Sequence, residues 1–414
     1  MKVLLLSQHF WPESFRINDV ALALQASGHE VVVLTGQPNY PGGKVFSGYH
    51  AAAAGCETHQ GVHIHRVPLV PRGSGSAPRL VANYLSFIAS ATLVGAWQLR
   101  GQHFDVVFVY GTSPILQAWA GVVLAWLKRC ALVTWVQDLW PQSLQVTGYV
   151  SRPRLLATVA WLVRQLYRRC DLLLLQSRGF ELPVRALAGA TTLAYLPNPA
   201  ERTPSVPADT APALKLPPGF NVVFAGNLGT AQALDSVLDA AALLADLRDV
   251  RFVLVGSGQC SDWLADQVQQ RRLVQVMLPG RFAPDAMPGI LTQASVLLVS
   301  LVADPTMALT VPSKLQTYLA AGRPILAALG GEGARIVVEA GAGIACAPGD
   351  AQALADAVRQ LHALPEPARV LMGVAGRDYH ARHYSLDALV PQLEAHLEAA
   401  AGARRPRAAT IPGS

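Results

Sequence analysis

Short unbroken runs of Val, Leu and Ile recur along the chain, separated by stretches in which apolar residues return every three or four positions. In the first half the runs 3–7 (VLLLS), 31–36 (VVVLTG), 62–68 (VHIHRVP), 106–111 (VVFVYG), 132–138 (LVTWVQD), 172–177 (LLLLQS) and 192–196 predict strands. Continuous runs, as opposed to alternating ones, belong to strands buried on both faces, and so to a parallel sheet covered by helices. The stretch "INDVALALQASG" predicts a helix closed by Gly28 before strand 31–36, which makes one βαβ unit with His29 in a structural turn. Residues 197–219, "PNPAERTPSVPADTAPALKLPPG", hold seven prolines and no periodicity, as a linker does. The pattern then restarts with strands at 221–226, 252–257, 274–278, 296–301, 324–329 and 344–347 and helices at 232–246 and 351–363.

Two doubly wound α/β halves follow, each Rossmann-like, with ligands expected at the carboxyl ends of the strands. The divisions are 1–198 for the first domain, 199–219 for the linker and 220–375 for the second domain. Helices over 376–401 are expected to pack back towards the first domain, and 402–414 to form a disordered basic tail. A length of 414 residues agrees with two domains.

The stretch "TVPSKLQTYLAAGRPILAAL" (310–329) raises a chemical question. Pro312 suits a first helical turn, and Gly322 suits the left-handed position after the last one. Leu315, Tyr318 and Leu319 fall on one apolar face, whereas Ser313, Lys314 and Thr317 share another. The free N–H groups of a helix start form an anion site, and this one carries a lysine. Read alone, the lysine is equally a solvated residue on a capped helix.

Composition narrows the function. Apolar content of 51% and charged content of 14% describe a globular chain with large buried sheets. The net charge of +6 is not gathered into basic blocks interleaved with aromatics, so nucleic acid is not an expected partner. Five scattered cysteines without a CxxC pair argue for a reducing compartment and against a zinc site. The opening "MKVLLLSQHF" turns polar after five apolar-leaning residues and reads as a buried strand of a cytoplasmic protein. The segment 80–97, "LVANYLSFIASATLVGAW", is uncharged and flanked by Arg79 and Arg100. Its Asn, Ser and Thr residues favour a helix lying on a membrane surface or packed in the domain over a span.

The residues after the strands carry the chemistry. Strand 221–226 runs into Gly226, Asn227 and Gly229, and strand 252–257 into Gly256 and Gly258. No third glycine completes GxGxxG, and no carboxylate follows where a ribose contact is expected, which argues against a nicotinamide cofactor. GxxxxGK[ST], HExxH and GxSxG are all absent. In the first half "HFWPESFRIND" places Glu13, Arg16 and Asn18 after the first strand, either to cap the next helix or to face a ligand. Asp138, leaving an apolar strand in "TWVQDLWPQS", is either a helix cap or a base with a raised pKa.

Several motifs in register resemble family 4 glycosyltransferases of the GT-B fold. They are "LSQHFWPESFRINDVALAL" (6–24), "GHEVVVLTGQPNYPGGK" (28–44), "VQDLWPQS" (136–143), "AGNLGTAQALDSVLDAA" (225–241) and "VPSKLQTYLAAGRPILA" (311–327). The resemblance extends to about residue 395 and is nearest to the bacterial surface-polysaccharide subgroup containing L-fucosamine (N-acetyl-fucosamine) transferases. It implies two facing Rossmann-like domains, the first on the acceptor side, and a nucleotide-sugar donor held by the second. It also implies retention at the anomeric carbon without a required metal or other cofactor.

The chain departs from the family pattern in two places. A Glu-seven-residues-Glu signature is replaced by Leu309 and Thr317, and an Arg and a Lys in the diphosphate loop by Asn227 and Gln232. Lys314 is then the candidate to supply the missing cation.

The resemblance thus assigns catalysis to Asp138, Arg16 and Glu13. It assigns donor binding to Asn18, Gly226, Asn227, Gly256, Gly280, Arg281, Thr310, Pro312, Ser313, Lys314 and Thr317. Backbone groups at Gly280 and Arg281 are expected to read the base, Thr317 to meet the ribose, and Arg16 with Asn18 to close on the donor. The expected reaction moves a sugar from a UDP-linked donor to a lipid-linked saccharide in O-antigen, capsule or exopolysaccharide assembly. The protein is expected to be peripheral at the inner face of the cytoplasmic membrane. A sugar-nucleotide epimerase of the same fold and a non-catalytic nucleotide-binding subunit are the alternatives.

Overall fold

The apolar runs become parallel strands in a computed structural model, which describes residues 1–146, 152–200 and 213–404. The chain divides into two units, Met1–Pro197 with Leu386–Ser414, and Asn198–Ser385.

The first unit holds an eight-stranded sheet. Its strands are β1 (Lys2–Leu6), β2 (Glu30–Gly36), β3 (Gly55–His59), β4 (Val62–Val67), β5 (Val106–Gly111), β6 (Ala131–Val136), β7 (Leu172–Leu175) and β8 (Thr192–Tyr195). They lie in the order β3-β4-β2-β1-β5-β6-β7-β8, all parallel but for β3, which runs antiparallel to β4. In β1 alternate residues serve opposite faces. Val3 and Leu5 join the core beneath the helices Arg16–Ala26 and Leu386–Arg404. On the other face small residues let helices come close. A Cβ at Gly95 would lie 2.6 Å from Leu34, and one at Gly121 would lie 2.6 Å from Val109. Strand β3 was not predicted, because "GCETH" has neither apolar alternation nor an apolar run. The hairpin turn joining it to β4 is Gln60-Gly61, both at positive φ (47° and 87°), which is the geometry a two-residue turn demands.

The second unit holds β9 (Phe220–Asn227), β10 (Val250–Ser257), β11 (Val276–Gly280), β12 (Val296–Ser300), β13 (Ile325–Ala328) and β14 (Gly343–Cys346). The order β11-β10-β9-β12-β13-β14 is wholly parallel and reverses direction at β9, the Rossmann arrangement. Val222 and Phe224 pack under the helices Leu234–Leu243 and Ala351–Ala363. Val223 and Ala225 pack under Leu315, Tyr318 and Leu319 of the helix Ser313–Ala321. Burial on both faces is why these strands read as unbroken apolar runs.

Several boundaries differ from the expected ones. The helix Glu366–His383 stays with the second unit, so the return to the first begins at Leu386, not at residue 376. The last helix runs to Arg404, so the tail does not begin at 402; residues 405–414 lie outside the described residues. Of the linker expected over 199–219, residues 201–212 lie outside the described residues as well. Leu216 belongs to the second core, its N–H donating to Gln293 Oε1 at 3.1 Å.

Candidate functional site

The reversal at β9 opens a crevice beside its carboxyl end, and the residues there keep it open. Gly226 lies next to the end of β9 at φ +141°, and Gly256 lies in β10 at φ +143°, values that favour glycine. A Cβ at Gly256 would stand 1.8 Å from the Gly226 carbonyl oxygen, and one at Gly226 would stand 2.6 Å from Lys314 Cε. The buried Tyr318 hydroxyl accepts from the Ala225 N–H at 2.8 Å and donates to the Ala225 carbonyl at 3.2 Å, pinning the strand end to the helix Ser313–Ala321. Pro312 is the N-cap of that helix, and Gly322 (φ +68°) its left-handed C-terminal cap.

A cavity of about 570 Å³ lies between these elements. Gly226, Asn227, Gly256, Arg281, Ser313, Lys314 and Thr317, seven of the residues singled out in the sequence, line it together. Phe282 and Met287 add apolar wall that the sequence reading missed. Three expected donor residues of the second unit are not part of the lining. Gly280 ends β11 at φ +85°. The Thr310 hydroxyl donates to the Thr306 carbonyl at 3.1 Å within its own turn, and Pro312 is spent as the cap.

Lys314 is the electrostatic centre of this cavity. Its ammonium lies 3.6 Å from the centroid of the Phe224 ring and donates to Gln232 Oε1. Among the described residues no carboxylate pairs with it, and burial pushes its pKa down to about 7. An anion entering the cavity would restore the charge that burial removes. Gln232 stands where the family resemblance leads one to expect a lysine, so here the cation reaches that place from the helix.

The strand ends of the first unit are built differently. Glu13, only 2% exposed, accepts from the N–H groups of Asn39 (2.7 Å) and Tyr40 (2.6 Å) and pairs with His9 Nδ1 at 3.0 Å. Asn18 accepts from the Trp11 N–H at 3.1 Å and donates to the Glu13 carbonyl at 2.7 Å. The side chains expected in catalysis (Glu13) and on the donor (Asn18) are engaged here with backbone groups and His9. These side chains spend their bonds fastening the loop after β1, and Glu13 fastens it to the loop after β2. Arg16 is buried in the first turn of the helix that follows.

Asp138, two residues beyond β6, has a different setting. Ser113 Oγ, from the end of neighbouring β5, donates to its carboxylate at 2.7 Å, and Trp140 Nε1 donates to the same hydroxyl at 3.0 Å. Burial pushes the Asp138 pKa up, and the Ser113 hydrogen bonds oppose part of that rise. The arrangement can orient a hydroxyl and take its proton. Ser113 was missed; its only signal was a polar Thr-Ser pair directly after a buried strand.

Both halves of the chain are similar to known proteins. Residues 14–199 match a glycosyl transferase 4-like domain, and residues 219–363 match the glycosyl transferases group 1 domain. WbjE of Pseudomonas aeruginosa, a probable glycosyltransferase, is 28% identical over 275 residues, covering 63% of this chain and 67% of its own. WcaI of Escherichia coli (strain K12), a glycosyl transferase provisionally named for colanic acid biosynthesis, is 27% identical over 340 residues, 78% of this chain and 82% of its own. Among solved structures, the sucrose-phosphate synthase of Thermosynechococcus elongatus superposes with a TM-score of 0.72 at 17% identity, over 97% of this chain and 99% of its own. HepE of Anabaena in complex with UDP and glucose gives 0.66 at 17% identity, over 96% and 100%. The two matched domains span most of the sequence in the order the two sheets require, and the chain is a glycosyltransferase of the GT-B fold with a 4-like first domain and a group 1 second domain.

Proposed function

We propose that the enzyme takes a sugar from a UDP-linked donor bound in the cavity of the second unit and transfers it, with retention, to a lipid-linked saccharide. The product would enter O-antigen, capsule or exopolysaccharide assembly at the inner face of the cytoplasmic membrane. One observation carries the reading: a mostly buried lysine, with no carboxylate partner among the described residues, lies in the first turn of a helix at the switch point of a Rossmann sheet, facing a cavity large enough for a nucleotide. HepE, a neighbour in fold, binds UDP and glucose, and the name of WcaI points to polysaccharide assembly.

In this reading Lys314 and the first turn of its helix meet the negative charge that grows on the departing diphosphate, so no metal is needed for that step. Ser313 and Thr317 add hydroxyls on the same helix face, and Arg281 lies beside the base or ribose. Asp138 orients the acceptor hydroxyl and takes its proton as the new glycosidic bond forms. A screen of UDP-sugars with native lipid extract, scored by UDP release, tests the proposal. Release that depends on both one donor and the lipid is expected. No release from any UDP-sugar would overturn the donor assignment, and release indifferent to lipid would overturn the acceptor.

A further inference from the structure

The helical layer on one face of the first unit is apolar on the side that ordinarily carries polar residues. In the helix Ala77–Gln98, residues Leu80, Asn83, Phe87, Ala91, Gly95 and Leu99 just beyond its end face the sheet and are buried. Asn83 accepts from Gln8 Nε2 at 2.7 Å and donates to the Val70 carbonyl at 2.6 Å, fixing the helix along the domain. The opposite ridge, at four-residue spacing, reads Val81, Leu85, Ala89, Leu93, Trp97, and every one of these is exposed, Leu93 by 71%. A surface helix normally turns charged residues outwards there. At 1.5 Å per residue, a ridge of this kind is about 25 Å long.

The pattern continues on two neighbouring helices. Ala118–Lys128 packs beside the first and leaves Trp126 73% exposed, with Leu127 next to it. Pro153–Tyr167 packs beside that one and leaves Leu155 and Trp161 exposed. Exposed apolar residues on three adjoining helices mark a contact surface. Its charge says with what. From Thr58 to Cys170 the sequence carries eleven Lys and Arg against two carboxylates, Asp105 and Asp138. Arg79 and Arg100 bracket the ridge, and the Arg100 guanidinium lies 4.1 Å from the Trp97 ring centroid. Arg154 and Arg164 of the same helix as Trp161, and Arg152 just before it, are exposed.

We propose that this face lies on an anionic lipid bilayer, with Leu85, Leu93, Trp97 and Trp126 at the boundary of headgroups and acyl chains and the arginines on lipid phosphates. Tryptophan, leucine and surrounding cations match such an interface, which needs no concave partner. The proposal gives the lipid-linked acceptor a plane of approach and in that respect rests on the function proposed above, but its test does not.

The full chain is sedimented with vesicles of phosphatidylcholine alone or mixed with phosphatidylglycerol, and its UDP affinity is measured in parallel. The wild type should bind the anionic vesicles and not the neutral ones, with release by high salt or alkaline carbonate. Leu93→Ser/Trp97→Ser and Trp126→Ser should each weaken vesicle binding by more than ~tenfold, with UDP affinity and melting temperature kept as the control for folding. Equal binding to both vesicle types, or full binding by folded variants, overturns the proposal. So does a dimer in light scattering that Trp126→Ser dissolves, which would put a second copy on this face. Retention through carbonate would mean that the Ala77–Gln98 helix leaves its packing and spans. Vesicle binding without UDP affinity would leave this face standing and remove the donor assignment; the reverse result would do the opposite.

Discussion

The loops after β1 and β2 in the first unit and those after β9 and β10 in the second carry the same kind of sequence signal, a polar cluster leaving an apolar strand. They end in opposite states. Around Glu13 the protein answers its own polar groups: two backbone N–H groups and His9 hold the carboxylate, and Asn18 is bonded on both sides. Around Lys314 it does not, since a buried ammonium has an amide oxygen and an aromatic face for company and an open cavity in front of it. A buried charge left without a counter-charge destabilises the empty protein, so its persistence points to a ligand that supplies the charge. Spare bonding capacity, not residue type, distinguishes the two loops.

Asp138 is the place where the first unit does keep such capacity, and its substitution should give the largest effect. Asp138→Asn preserves shape and removes the base, so turnover should fall by about 10²-fold or more with UDP affinity unchanged. Steady-state rates beside a UDP titration decide this; a fall in UDP affinity or in melting temperature would make the residue structural. The raised pKa adds a sign. The carboxylate must be ionised to act, so the acid limb of the rate should lie above the ordinary carboxylate range. Ser113→Ala removes a hydrogen bond to the charged form and should move that limb further up.

Lys314→Ala comes next. A charge-assisted contact to a diphosphate is worth on the order of 1.5–3 kcal/mol, so UDP binding should weaken by roughly ten- to a hundredfold in a calorimetric titration. The helix should persist, because alanine is a strong helix former. Unchanged affinity would return Lys314 to the status of a solvated surface residue and erase the contrast between the loops. Glu13→Gln probes the other side. It should lower stability by about 1–3 kcal/mol, seen in denaturant unfolding, and leave UDP affinity intact, because that carboxylate holds two loops together.

Most of the sheet framework was legible, since strands buried on both faces write themselves as unbroken apolar runs. Strand β3 was not, because an edge strand of polar residues has no such signature and its turn uses Gln60-Gly61 where Asn-Gly is the usual signal. The cavity of the second unit was legible for a related reason. Glycines at strand ends and a lysine in a helix's first turn are local features, and the order of the strands brings them together. What the sequence hid was how each polar atom is used. Glu13 and Asp138 look alike as carboxylates after a strand; only the distances to Asn39, Tyr40 and Ser113 set a fastening carboxylate apart from the one proposed as a base. Likewise Gln232 looks like the loss of a cation until Lys314 is seen to reach it.

The smallest effect is also the most specific to the unanswered charge. The pKa of Lys314 is pushed down to about 7 in the empty protein, whereas a free lysine titrates near ~10.4. Between those values the unfolded chain binds more protons than the folded one, so stability should rise with pH across that window. Binding to a diphosphate works in the opposite sense. The complex holds the proton because the anion favours the charged amine, and the empty cavity loses it as the pH climbs past about 7. UDP affinity should therefore be nearly level just below neutrality and fall above it, by as much as ~tenfold per pH unit at the steepest. Phosphate ionises near ~6, about one unit below the amine, so its own titration overlaps only the onset of this fall, and the slope well above neutrality belongs to the amine. Titrations at intervals from neutral to alkaline pH measure the slope, and two buffers of different ionisation enthalpy should report proton uptake on binding. Lys314→Ala should abolish both the slope and the uptake while keeping its weaker affinity constant with pH. A slope that survives in the variant would assign the proton to another group, and the ammonium facing the cavity would then be an incidental feature of the helix.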